Sequence, residues 1–253
     1  MQINFLGREL ILYCSPGPLD ENEVHWQGRD IWKLIGLYLL IFVASIFLMV
    51  AVGLVSPDDS LVAPRILEMA TLIAVFIVHS RIGFWPDRTY FRTRWQDFRQ
   101  HWKTGVIWGI ALKIASFGLI TITVVLAQLL GYSGTLEGNN PVSQLGLEQT
   151  FAWVLLSLDI ILLAPLKEEL LMRGILFGWL RRRVGIRRGM VLCALLFSLL
   201  HLNLLGGLAF FVSGLVFALL YERTGSLAPC MIAHGVGNLI SVAITFILAV
   251  AGA

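Results

Sequence analysis

Three short stretches in the second half of the chain set polar and ionisable side chains at helical spacing within otherwise apolar sequence. In Glu168-Glu169-Leu170-Leu171-Met172-Arg173, the second carboxylate and the arginine stand four apart, so on a helix they share a face and can pair. Glu168 points about 100° away from Glu169 and is left without that partner. Two adjacent carboxylates, one neutralised and one free, can divide the work between structure and general-base chemistry. An interhelical salt bridge using both is the competing use. The second stretch places His201 four residues after Phe197, and the third places Asn238 four residues after His234. A lone buried histidine is usually a satisfied core residue. Two on separate segments, with an asparagine and an unpaired glutamate, call for a shared setting.

The elements that must position these groups are membrane helices. Hydrophobic residues make up 57% of the chain and charged residues 14%, with a mean hydropathy of +0.80. Soluble domains carry roughly 25% charged residues. The composition excludes a disordered chain, a collagen, a disulfide scaffold and a nucleic-acid-binding module. A membrane helix needs about 20 mostly apolar residues. Seven stretches qualify, near 32–55, 62–80, 104–130, 150–180, 189–205, 207–221 and 228–250, the fifth and sixth being short. The expected fold is therefore all-α: a polytopic transmembrane helix bundle of about seven spans with a polar intramembrane cavity. Fifteen of the nineteen Lys and Arg residues fall in alternate connections, among them Arg181, Arg182, Arg183, Arg187 and Arg188. The positive-inside rule makes that side cytoplasmic, with the N-terminus inside. The 81–103 connection mixes arginines with Trp85, Trp95 and Trp102, which reads as a stretch lying at the membrane interface rather than as a nucleic-acid surface.

Ionisable groups inside a bilayer cost at least about 2.5 kcal/mol each and mark function by default. Lys113 stands alone in its span, and Asp159 is apolar-flanked and central. Glu168 lies 13 residues before Arg181, and His201 lies 13 after Arg188. On straight helices both sit roughly 20 Å from the basic edge. His234, 11 residues beyond Arg223 with Pro229 between, is somewhat shallower. Groups on three segments thus reach similar depth, as a common cavity requires.

Glu-Glu-x-x-x-Arg at 168–173, Phe-x-x-x-His at 197–201 and His-x-x-x-Asn at 234–238, in this order, resemble the three motifs of the CPBP intramembrane proteases. These are the CAAX prenyl protease and bacteriocin-processing proteins, also called the Abi family. The stretch from Gly214 through Tyr221, then Thr224 through Pro229 leading to His234, is similar to the family's approach to its last motif. The resemblance covers about 150–240. It divides the chain into an N-terminal membrane region, 1–149, with three spans and the basic-aromatic segment, and a CPBP-like catalytic helix bundle, 150–253.

The resemblance implies an intramembrane endopeptidase acting on a membrane-anchored or lipidated peptide. Glu168 would activate water, Glu169 with Arg173 would hold and tune the site, and His201 would act on or orient that water. His234 and Asn238 would stabilise the oxyanion. The resemblance leaves the metal open. Glu168, His201 and His234 could complete a zinc site with an open water position, although no His-Glu-x-x-His occurs. Two alternatives belong to other classes: a non-catalytic relative that gives bacteriocin immunity, and a transporter with a Glu/His relay. The expected location is the inner (plasma) membrane of a prokaryote, with the bilayer and a membrane peptide as partners and no nucleic acid. The charge asymmetry makes a direct prediction. Reporter fusions after Gly138 and at Ala253 will both report the extracytoplasmic side, and a cytoplasmic signal at Ala253 would remove one span from the count.

Overall fold

The structure is a computed structural model that describes residues 95–132 and 150–252, together with residues 4–5, 8–9 and 36. The expected span 32–55 apart from residue 36, the expected span 62–80, the stretch 81–94 and most of the 131–149 loop lie outside the described residues. Apart from a two-residue antiparallel pairing of β1 (Asn4–Phe5) with β2 (Arg8–Glu9), the regular elements among the described residues are all helical. Helix α1 covers Trp95–Leu129, so Trp95 and Trp102 are the opening turns of a long helix rather than a separate interfacial piece. A continuous helical rod then runs through α2 (Thr150–Leu158), a π-helical segment (Asp159–Leu163), α3 (Ala164–Glu169), a second π-helical segment (Leu170–Phe177) and α4 (Gly178–Val184). Gly185 turns the chain into α5 (Ile186–Leu200), followed by α6 (Gly207–Thr224) and α7 (Ala228–Gly252).

Among the described residues, α1 over Gln96–Leu129, α6 over Gly207–Thr224 and α7 over Ala228–Ala251 are long and apolar enough to cross a membrane. The protein is an integral membrane protein, and its outward faces fit that setting. Ile114 is 67% exposed and Ile247 63%, an exposure of apolar surface that lipid tails satisfy and water does not. The fifth expected span needs correction. Helix α5 has 15 residues and is about 22 Å long, short of the ~30 Å hydrocarbon core. It ends at Leu200, and the chain turns with Leu202 at φ 48°. His201 therefore closes a helix rather than sitting within one.

Helices α1 and α7 run parallel and closely packed. A Cβ on Gly109 would stand 2.7 Å from the Ala233 carbonyl oxygen, and one on Gly105 would stand 2.5 Å from Ile232 Cβ. Only hydrogen fits at these two positions. Their four-residue spacing is the small-xxx-small pattern of close membrane-helix pairs. Around the second π-helical segment, Phe177, Cys193, Phe197, Phe217, Tyr221 and Cys230 build the main buried core. Both cysteines are wholly buried and free, as small apolar residues would be.

The first π-helical segment has a local cause. The Ala164 N–H donates to Asp159 O, five residues back, instead of to Ile160 O. The donor one residue further on would be Pro165, which has no N–H. Neither helical donor is thus available to Ile160 O, and Asn238 Nδ2 supplies one across from α7 at 2.8 Å. Gly235 lets the two backbones meet, because a Cβ there would stand 2.8 Å from Ile161 O. A buried carbonyl left unpaired costs about 1–3 kcal/mol. Asn238→Leu, close in size but without the donor, is expected to lower stability by about that amount. The measurement is the thermal midpoint of the purified protein, and an unchanged midpoint would show that Ile160 O has another donor.

Candidate active site

Glu169 and Arg173, four apart, form an ion pair of 3.0 Å with both side chains fully buried. The arginine Nη2 also donates to Gly214 O on α6 at 3.2 Å. Its guanidinium lies against two aromatic rings, 4.6 Å from the centre of Phe197 and 5.1 Å from that of Phe217. The charge is therefore paired, hydrogen-bonded and stacked, which is how a buried arginine becomes tolerable.

Glu169 has a second partner that spacing alone did not indicate. His234 Nδ1 lies 2.9 Å from the same Glu169 oxygen that Arg173 contacts. A carboxylate oxygen accepts, so Nδ1 carries the proton. His201 repeats the arrangement with a backbone partner, its Nδ1 lying 2.7 Å from Phe197 O. That contact is the i, i−4 relation of the Phe-x-x-x-His stretch, reinforced by ring contact at 4.6 Å. With both Nδ1 atoms engaged, both Nε2 atoms are left for other work, and each lies 3.9 Å from Glu168 Oε2. Phe210 stacks on His201 at 4.0 Å and Phe217 stacks on His234 at 5.3 Å, fixing the planes of the two rings.

Glu168 makes no such pair. Its side chain is 28% exposed, while its Oε2 atom is buried without a hydrogen-bond partner in the protein. It faces a cavity of about 490 Å³ whose lining includes Lys113, Glu168, His201, His234 and Asn238. Glu169 and Arg173 are not part of that lining. Of the six expected site residues, four thus meet at one cavity, and the ion pair stands behind them. Asn238 reaches the cavity with one amide hydrogen already spent on Ile160 O.

The donor set bears on a metal in two ways. Each histidine has its distal nitrogen tied to an oxygen, the outer-shell pattern that orients a metal-binding imidazole. The inner shell does not follow, because no group of three His, Cys, Asp or Glu side chains among the described residues could hold a metal ion. As placed, these side chains do not fit zinc, and no step below passes through a metal.

Other lining residues were less legible. Asp159 is buried and also lines the cavity. Lys113 reaches it from α1, donating to Ser241 Oγ with its ammonium 5.1 Å from the Phe117 ring centre. The Gly105-x-x-x-Gly109 spacing carries the signal, since Lys113 continues the same stripe four residues on.

Residues 149–240, more than a third of the chain, match the family model for type II CAAX prenyl endopeptidase Rce1-like proteins. That match is consistent with the CPBP proteases. All three motifs fall inside the matched segment, so the resemblance read from them is borne out. No curated protein and no solved structure matches the chain.

The burial difference between the two glutamates generates a prediction. Removing one member of a buried ion pair costs about 3–5 kcal/mol, because the other charge is left uncompensated. Glu169→Ala and Arg173→Ala will therefore lower folded yield and thermal midpoint sharply. Glu168→Ala, which removes a partly exposed carboxylate that meets only two imidazoles at 3.9 Å, will fold with yield close to the parent. Should Glu168→Ala prove the one that fails to fold, the division of roles between the carboxylates is wrong.

Proposed function

We propose that the protein is a CAAX-type intramembrane endopeptidase that hydrolyses a peptide bond of a prenylated or otherwise membrane-anchored substrate, using water activated by Glu168. The observation that carries this reading is the convergence of two histidine Nε2 atoms on one buried, unpartnered carboxylate oxygen, each at 3.9 Å. Three groups so arranged leave a gap that one water molecule can bridge. Glu168 as carboxylate and neutral His201 both accept hydrogen bonds there, so both protons of that water are drawn away from its oxygen.

The oxygen attacks the scissile carbonyl carbon as Glu168 takes one proton. The carbonyl oxygen becomes an oxyanion, and donors preorganised towards it lower the barrier. Two are at hand. His234, when it carries a second proton, donates through Nε2 while Nδ1 stays on Glu169. Asn238 keeps one amide hydrogen beyond that given to Ile160 O. Collapse of the tetrahedral intermediate breaks the C–N bond, and Glu168 returns its proton to the leaving nitrogen. Glu169 and Arg173 do not touch substrate in this scheme. They fix the tautomer and direction of His234, and they are positioning residues.

Glu168→Gln keeps the shape and removes the base. Cleavage of a prenylated test peptide by the purified protein is expected to fall roughly 10²–10⁴-fold, with folded yield retained. Altered substrate flux in the variant would mark a transporter, and measurable parent cleavage separates an enzyme from an immunity protein. Full activity of Glu168→Gln would overturn the mechanism. Dialysis against a chelator is expected to leave cleavage intact. Loss on dialysis that zinc alone restores would install a zinc-bound water in place of the Glu168-activated one.

A further inference from the structure

Beyond Glu168 and the histidines, the cavity holds a cation whose contacts leave it open to an anion. Lys113 gives one N–H to Ser241 Oγ and lies over the Phe117 ring. Ser241 passes its own hydrogen to Gly237 O at 3.2 Å, so its hydroxyl oxygen is free to accept from the lysine. No carboxylate among the described residues lies within ion-pair distance of Lys113, whereas Arg173 and Arg181 each have one. An ammonium has three donors, so two remain for a ligand.

Depth selects the ligand. Lys113 is 18 residues from the start of α1 and 16 from its end. At about 1.5 Å per residue the whole helix is about 52 Å, longer than the ~30 Å hydrocarbon core, and Lys113 stands about 15 Å past Lys103, near the middle of that core and beyond the few ångströms that a lysine gains by snorkelling. Lipid phosphates stay at the interface and do not reach this level. A carboxylate arrives only if a peptide chain carries it in.

Spacing along α7 sets the length of that chain. Ser241 follows His234 by seven residues, about 10 Å along the helix. An extended peptide covers about 3.3–3.6 Å per residue, so about three residues bridge the two levels. Resting on the peptidase reading above, we infer that Lys113 with Ser241 forms a subsite for the free C-terminal carboxylate of the substrate, about three residues beyond the scissile bond. Lys113 is then a specificity-determining residue, supplied by a helix outside the family-matched segment.

The test uses S-farnesylated cysteine peptides with three residues after the cysteine, ending in either a carboxylate or a carboxamide. Their binding to the full-length Glu168→Gln protein in nanodiscs is measured alongside cleavage by the parent. The carboxylate peptide is expected to bind roughly 10- to 100-fold more tightly than the amide, the range for a hydrogen bond to a charged group. Lys113→Met should bring that ratio close to one, and Lys113→Arg should keep most of it. If the methionine variant does not fold, Ser241→Ala provides the second readout and should reduce the ratio. Equal binding of acid and amide by the parent site overturns the inference, as does binding that follows phosphatidylglycerol content rather than the peptide terminus. Carboxylate-selective binding without any cleavage would overturn the peptidase reading and leave the subsite standing.

Discussion

The carboxylate of Glu169, fully shielded from solvent, holds together elements that are far apart in the chain. One of its oxygens meets Arg173 from the second π-helical segment and His234 from α7. Arg173 extends the connection to the backbone of α6 and to the rings of Phe197 on α5 and Phe217 on α6. A buried carboxylate without partners would be driven to take up a proton or to leave the interior. The paired oxygen of Glu169 is met only when the second π-helical segment and α7 are both in place, and Arg173 ties α5 and α6 to the same point. The same contact assigns the Nδ1 proton of His234, which decides what its other nitrogen can do towards Glu168. Packing and chemistry thus depend on one oxygen atom.

Much of this was legible from spacing and some of it was not, for a definite reason. Glu169–Arg173 and Phe197–His201 are contacts within a helix, and helical geometry alone places them. The contact between His234 and Glu169 spans 65 residues, and no periodicity reports it. Asn238 is the more instructive case. Its place on the His234 face was readable, but its partner exists only because a five-residue-back hydrogen bond and a proline together strand one carbonyl. Pro165 was visible as an interruption. How the chain absorbed it, by π-helical turns rather than a break, depends on a donor arriving from α7. The end of α5 was not legible because Leu202, Leu204 and Leu205 keep the hydropathy of 201–205 high, and hydropathy does not register a turn.

The two adjacent glutamates show how a one-residue offset sorts identical side chains. Glu169 faces the packed centre, where a permanent cation answers it. Glu168, on the next face, looks into the cavity, where two imidazole nitrogens lie 3.9 Å from its Oε2 atom. A fixed counter-charge would hold a carboxylate ionised and make it a poor acceptor of a proton. In the proposed mechanism Glu168 takes the proton, while Arg173 stays with Glu169 outside the cavity lining.

The parallel contact of α1 with α7 bears on how such a site acquires selectivity. Gly105 and Gly109 bring the two backbones close enough that Lys113, four residues further on, is delivered to Ser241. Helix α1 lies before residues 149–240, the segment that matches the family model, yet it forms one wall of the same cavity. The groups proposed to carry out hydrolysis, Glu168, His201, His234 and Asn238, all belong to the matched segment. A wall contributed from outside it can change in charge or shape without touching the Glu169 contact or the stranded Ile160 carbonyl. In the proposed subsite the lysine comes from α1 while its serine shares α7 with His234 and Asn238, and the glycine stripe sets the separation of the two helices.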